Sequence, residues 1–494
     1  MKNKGIISLF KRTVCISLCI LFILLTACSE QSEETSFSSD TKTENTSSFK
    51  DTSYDGENAN TEGGTKTDSL NSDTAITPPE DGDVPSDIVT DASTGSVTTP
   101  IAEDPNAEKT STPIITGTVS QASDRVIIYG WTEDGAKITY KGTKTLEFSD
   151  YACGSYFYVE VNGSGTDTVS LYATADGKKP SDRVTVDVTF TKIPNTGTFS
   201  GRNSRLFLRG TEGFLIGNSK VSDKTLEATA NRLDKIVEKV QSVTGKDTKI
   251  IYLFAPNPIT VYYDEQHDYL IDASGGKRHS TAASQFVEYM NGEGKNEDII
   301  VPDLLALFDQ HKDERIFYRT DTHWSELGAY YAYAEMMKYI NIDFPGAIAH
   351  PLSDFEIKMV DCRAGDLASM LRVSNMREEA PFLHAKFEDT GDIYPVKRDQ
   401  IGYRISGIAW GLYPQDSYIN NASLPIAYAL SDSYGAFFLP FAGMGFSHLR
   451  IHGANNNAPI DYDVLAECKP DYIIFNYTDR NVDNNLGIVT SLFG

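Results

Sequence analysis

The sequence predicts an α/β chain: a mainly parallel sheet with helices on both faces, preceded by a small all-β sandwich and a disordered tether. Three observations predict it. Residues 29 to 112 carry few aliphatic or aromatic side chains, and short period-two runs punctuated by turn dipeptides follow them. From about Gly201, brief unbroken apolar strands alternate with helical spacings. A length of 494 residues allows two or more domains with sizeable cores.

At the N-terminus, Lys2, Lys4, Lys11 and Arg12 precede a largely apolar run from Val14 to Leu25, shorter than the roughly 20 residues that cross a bilayer. A basic start and a short apolar core mark residues 1–27 as a secretory signal peptide. It ends in Leu25-Thr26-Ala27-Cys28, which resembles the lipobox of bacterial lipoproteins. That likeness implies lipidation of Cys28 and an anchor on the extracellular face of the cell membrane. Several acyl chains on one residue hold where a single chain does not.

Residues 28–112 form the predicted tether, rich in Ser, Thr, Asp and Glu and too poor in apolar surface to offset the entropy of ordering. As a flexible coil it would span roughly 50 Å. Between 29 and 112 there are 19 Asp and Glu against 4 Lys and no Arg, so −15 of the chain's net −25 belongs to this segment. Such a balance excludes nucleic acid as a partner, because a phosphate backbone demands a basic surface.

Residues 113–195 read as the sandwich. The runs Val126 to Trp131, Tyr156 to Val159 and Val169 to Tyr172, with the alternation Val184, Val186, Val188 and Phe190, are separated by Asp134-Gly135, Asn162-Gly163 and Asp176-Gly177. The pattern resembles the Ig-like modules of bacterial surface proteins. An exposed Trp131 would suit a sugar face, but a buried sandwich aromatic is the expected fate, and the module is expected as a spacer.

Residues 200–494 read as the α/β domain. Ser222 and Asp223 can cap a helix whose apolar positions Leu226, Ala230, Leu233, Val237 and Val240 keep helical spacing, and Gly245 ends it. Strands are expected at Ile250–Phe254, Ile299–Val301, Ile316–Tyr318, Ile426–Leu430, His448–Ile451 and Tyr472–Phe475. Unbroken apolar strands between helices indicate a parallel sheet covered on both faces. The stretch from Ser353 to Gln415 lacks clean periodicity and reads as an insertion. Beyond Cys28 the cysteines Cys153, Cys362 and Cys468 are widely spaced and odd in number, and no Cys/His cluster suggests a zinc site. His448 and His452 have ligand spacing only on a helix, and they sit in a predicted strand. No metal is expected.

In open sheets of this kind chemistry gathers at the carboxyl ends of the strands. Asp321 and His323 follow one expected strand and Ser433 follows another, at the end of Ile426 to Leu430. A carboxylate that orients an imidazole, and an imidazole that takes a serine proton, constitute nucleophilic acyl chemistry. Ser433 is the candidate nucleophile, His323 its base and Asp321 the orienting group. The backbone N–H groups of Ser433 and Tyr434, with the Asn257 and Asn476 side chains, are candidate oxyanion or substrate donors. Two plainer roles stay open: Asp321 as a helix cap and Ser433 as a loop serine, with Ser431 its competitor.

The run Arg319-Thr320-Asp321-Thr322-His323-Trp324, followed by Gly328, resembles the signature of the DHHW proteins, relatives of the SGNH-hydrolase-like alginate O-acetylation proteins. The resemblance takes in Gly213-Phe214-Leu215, Gly365-Asp366-Leu367-Ala368 and the strand end at Ser433, and so covers roughly residues 200 to 494. It implies an SGNH-hydrolase-like fold with Asp321, His323 and Ser433 as catalytic triad. The Asp-His pair preceding the serine agrees with the family order. Ser431 stands where the family often has glycine. The implied activity is O-acetyl transfer to, or removal from, an extracellular polysaccharide, by an O-acetyltransferase or acetylesterase. No soluble cofactor is expected, and a transferase implies a membrane acyltransferase as acetyl donor. The alternative is a non-catalytic surface protein that binds glycan or cell wall through an idle hydrolase-like fold.

Overall fold

The structure, a computed structural model, describes residues 107–191, 197–386, 415–453, 459–482 and 486–493. The predicted signal peptide, Cys28, nearly all of the tether and residues 387–414 of the predicted insertion lie outside the described residues.

Seven antiparallel strands build the sandwich: β1 (Ile114–Ala122), β2 (Arg125–Trp131), β3 (Lys137–Gly142), β4 (Phe148–Tyr151), β5 (Tyr156–Asn162), β6 (Thr166–Thr174) and β7 (Val184–Thr189). They pair in two sheets, β1-β2-β5 and β4-β3-β6-β7. Gly135 and Gly177 take φ of 65° and 71° in their turns, a conformation open to glycine at no steric cost. Alternation along β2 sends Val126 and Ile128 into the core between the sheets, with Val159 and Leu171. Ile127 and Tyr129 point the other way, into a second buried cluster shared with Leu206, Leu367 and Leu371 of the α/β domain. The sandwich is therefore not a free-standing module: the outer face of one sheet is apolar because another domain covers it. Trp131, expected buried, is 44% exposed. The edge of the predicted tether also joins the sandwich, where the Thr110 N–H donates to the Lys179 carbonyl at 2.8 Å.

In the α/β domain β8 (Thr198–Ser200) and β9 (Leu206–Leu208) form a short hairpin. The main sheet uses β10 (Lys249–Ala255) and β11 (Ile299–Ile300). A separate antiparallel hairpin, β12 (Phe355–Arg363) and β13 (Arg377–Ala385), comes next in the chain. The sheet is completed by β14 (Gln415–Tyr418), β15 (Ile426–Ser431), β16 (His448–Gly453) and β17 (Tyr472–Thr478). Its order is β11-β10-β17-β15-β16-β14. Every neighbouring pair is parallel except the edge strand β14, which runs antiparallel to β16.

The unbroken apolar strands have the cause expected of them. On β10, Ile251, Leu253 and Ala255 enter one core while Ile250, Tyr252 and Phe254 enter the other. The helix Asp223–Thr244 packs in the second core through Leu226, Leu233 and Val240. Ser222 caps it by accepting from the Thr225 N–H, and Gly245 ends it at φ 67°. The helices Glu326–Asp343 and Gly435–Ala442 cover the first core. Register sets the strand ends level: Ser431 of β15 lies opposite Asn476 of β17, and Ala255 of β10 opposite Thr478.

One expected strand is absent. Ile316, Phe317 and Tyr318 are buried among helices, and only a single bridge, Phe317 to Trp324, marks them. An apolar run of three reports burial without telling a strand from a buried loop. His448 and His452 lie on β16 as expected, and His448 Nε2 pairs with Asp416 at 2.8 Å.

Candidate active site

The loop bearing the Asp-His pair closes on itself. The Tyr318 N–H donates to the His323 carbonyl at 3.3 Å and the Ser325 N–H to the Ile316 carbonyl at 2.9 Å. Ser325 then caps the helix Glu326–Asp343, accepting from the Gly328 N–H at 3.3 Å. A Cβ on Gly328 would overlap the Ile316 carbonyl, which explains the glycine of the motif. With Ser325 as the cap, the capping role for Asp321 falls away.

Asp321 is buried, and its Oδ1 accepts from the His323 N–H at 2.9 Å and from His323 Nδ1 at 2.5 Å. That pairing puts the ring proton on Nδ1 and leaves Nε2 as the candidate base. Among the described residues Nε2 is buried without a hydrogen-bond partner. The other Asp321 oxygen accepts from the Asp366 N–H at 2.9 Å. Burial would push Asp321 up, but the His323 ring and the amide donors hold it below the usual carboxylate range. Burial opposes the charged imidazole of His323, and the Asp321 carboxylate outweighs it, so the ring titrates above its ordinary value.

Gly365 to Ala368 wrap this loop like a clasp. Leu367 and Ala368 N–H groups donate to the Thr320 carbonyl at 3.1 and 3.3 Å, and the Gly365 N–H donates to Thr320 Oγ1 at 3.0 Å. The Asp366 carboxylate takes the Thr322 N–H at 2.8 Å and the Thr322 hydroxyl at 2.6 Å. Asp366 was not singled out as a site residue from the sequence, although its tetrapeptide was. Asp321, His323 and Asp366 bring potential ligand atoms within 4.8 Å of one another. Each of the four carboxylate oxygens there already accepts a hydrogen bond from the protein.

Ser433 lies on a strand-to-helix turn between β15 and the helix Gly435–Ala442, as expected. Its competitor Ser431 is fully buried, its Oγ bonded to the Asn476 carbonyl and side-chain oxygen at 3.0 Å each. Ser433 is half-buried. Among the described residues no hydrogen bond joins its hydroxyl to His323, an arrangement common before substrate binds. The two halves of the site are nonetheless riveted together. Trp324 Nε1 donates to the Tyr434 carbonyl at 3.0 Å, and the Tyr434 hydroxyl donates to the Thr322 carbonyl. The rings of His323 and Tyr434 lie 5.0 Å apart between centroids.

The candidate oxyanion donors divide. The Tyr434 N–H is already given to Asp432 Oδ1 at 3.0 Å, so it is not open to a ligand in this geometry. Asn257 uses its Oδ1 to cap the helix Pro258–Val261, and Asn476 uses its Oδ1 for Ser431; among the described residues neither buried Nδ2 has a hydrogen-bond partner. Asp432, whose burial pushes it up, also holds the Thr478 N–H at 2.7 Å and Asn481 Nδ2 at 2.9 Å. Arg480 lies over the Tyr434 ring at 5.4 Å and opposes the charging of His323. Neither Asp432 nor Arg480 was read from the sequence; Asp432 adjoins the serine, and only the end of β17 marks Arg480.

Residues 208–391 match the model of a family described as the SGNH hydrolase-like domain of the acetyltransferase AlgX. The matched residues include Asp321, His323 and Asp366 and stop short of Ser433. The resemblance to SGNH-hydrolase-like alginate O-acetylation proteins is borne out by that match, as is the fold. The chain is 26% identical over 144 residues to the probable alginate O-acetylase AlgJ of Pseudomonas putida, which is 27% of this chain and 35% of that protein. The chain thus spans about a third of the length of this curated relative. Among solved structures, Bacillus cereus PatB1 with a sulfonyl adduct is similar with a TM-score of 0.41 at 14% identity, covering 57% of this chain and 94% of that one. A DHHW family protein from Eubacterium siraeum is similar with a TM-score of 0.38 at 15% identity, covering 65% and 94%.

Proposed function

We propose that the protein is an enzyme of serine-dependent acyl-ester chemistry, an O-acetyltransferase or acetylesterase acting on an extracellular polysaccharide. The observation that carries the reading is the rivet between the two halves. Trp324, next to His323, donates to the carbonyl of Tyr434, next to Ser433, at 3.0 Å. The match to the AlgX domain family supports the acetyl-transfer class.

In this reading Ser433 Oγ attacks the acetyl carbonyl while His323 Nε2 takes the hydroxyl proton, and Asp321 stabilises the imidazolium that forms. Asn257 and Asn476, each with an unpartnered Nδ2 among the described residues, are the proposed donors to the developing oxyanion. Collapse breaks the bond to the donor oxygen, which leaves with the proton from His323. The acetyl-enzyme then passes its acetyl group to a sugar hydroxyl, or to water with release of acetate, and Ser433 recovers its proton. As a transferase the protein takes its acetyl group from a membrane acyltransferase. Cys28 carries the lipid that holds it at the extracellular face of the membrane, with the acidic segment as tether.

A serine-reactive fluorophosphonate labels the wild type and fails to label Ser433→Ala. Equal labelling of both would sink the assignment. An idle glycan-binding fold predicts polysaccharide retention unchanged in Asp321→Asn and Ser433→Ala, with no acetate released from any acetylated glycan.

A further inference from the structure

We infer that the β-sandwich is a positioning part of the catalytic centre, holding in place the Gly365–Ala368 clasp that orients Asp321. The inference rests on the proposed roles of Asp321 and His323.

The clasp has two faces. Its backbone and the Asp366 carboxylate grip Thr320, Asp321 and Thr322 through the hydrogen bonds described above. Its side chains Leu367 and Ala368, with Leu371 after them, are buried against Ile127, Tyr129 and Tyr158 of the sandwich. The helix Asp366–Met370 spans only 5 residues, too short to hold its shape without tertiary packing. The Thr198 hydroxyl adds one bond to the Leu367 carbonyl at 3.0 Å.

Polar contacts fix the sandwich in that position. Tyr129 donates to Asn375 at 2.9 Å, just beyond the clasp, and the Ser200 hydroxyl donates to the buried Glu160 at 2.6 Å. The Tyr158 N–H donates to Ser204 at 3.1 Å. A sandwich face that yields therefore lets the clasp slide, and Asp321 loses a donor and its alignment with His323. Small displacements of this kind lower rate without removing any catalytic group.

Strand β2 supplies a matched pair for the test. Ile127 and Ile128 are adjacent, identical and both fully buried; the first faces the clasp and the second faces the sandwich interior. His323 is faced by the charges of Asp321, Asp366, Arg480 and Asp432, and by the rings of Tyr434 and Phe437. Loosening the clasp draws back the first two, the carboxylates that favour the imidazolium, so the ring titrates lower. In the full chain, Ile127→Ala should slow fluorophosphonate labelling about tenfold and lower the His323 pKa read by NMR. Ile128→Ala should leave both unchanged while losing comparable thermal stability. Equal effects of the two variants, or no effect of Ile127→Ala, would overturn the inference. If either alanine variant is unfolded by circular dichroism, Ile127→Val and Ile128→Val are read by the same criteria. If the wild type is not labelled, the proposed reaction fails. The NMR titration then still decides: a drop confined to the Ile127 variant supports the clasp, and equal values reject it.

Discussion

Gly435 has no room for a methyl group, because a Cβ there would overlap the Ser431 side chain. The DHHW resemblance implies glycine where Ser431 stands, and the space its hydroxymethyl group needs is supplied from across the turn. That hydroxyl is used, bonding Asn476 at the level of the strand ends. Gly435→Ala is therefore expected to destabilise by about 1 to 3 kcal/mol through overpacking. Adding Ser431→Gly should recover part of the loss, since the methyl then enters vacated volume. Urea unfolding of the single and double variants measures it, and additive losses would show that the two positions do not share one space. The exchange was visible in the sequence only as a departure at Ser431; its partner four residues on carries no mark of the contact.

Elements followed the sequence where a periodic signal extended over several turns or a full strand. Ser222 and Gly245 bracket the helix Asp223–Thr244, and β10, β15, β16 and β17 fall on the expected apolar runs. Ile316 to Tyr318 did not, because burial among helices and burial in a sheet leave the same short apolar run. The clasp was legible as a tetrapeptide and illegible as a device, since its meaning lies in bonds to residues about 45 positions earlier. Its glycine has a steric cause: a Cβ on Gly365 would overlap the Asp321 carboxylate. Gly365→Ala should push the clasp off Asp321 and slow fluorophosphonate labelling about a hundredfold, with the far-ultraviolet circular dichroism unchanged. Labelling at the wild-type rate would mean that the loop absorbs the methyl group without disturbing the Asp-His pair.

Across the whole molecule, buried acids couple stability to pH in a direction that the net charge of −25 does not reveal. Burial pushes Glu378 up to about 7, beneath the Asp-His loop, where it accepts from the Arg319 N–H at 2.8 Å and from Thr320. Burial likewise lifts Asp479 to about 7 at the end of β17, and Asp150 to about 6 at the junction of sandwich and α/β domain. Each group binds its proton more tightly folded than unfolded, so the folded state holds extra protons between about pH 4 and 7. These groups therefore make stability fall as pH rises through that window. His323, also raised, adds a contribution of the same sign above its ordinary value of 6.5. Asp321, held low, acts oppositely below its ordinary 3.8, and His267 and His452, which burial lowers from 6.5, act oppositely in the upper part of the window, where the raised carboxyls outnumber them. Urea midpoints should therefore decline from pH 5 to pH 7. Glu378→Gln keeps a side-chain acceptor for Arg319 without a titrating proton, and should decline less. A wild-type midpoint that climbs over the same interval would mean that these carboxyls are ionised in the folded protein, and that Arg319 and its neighbours compensate burial more fully than the geometry indicates.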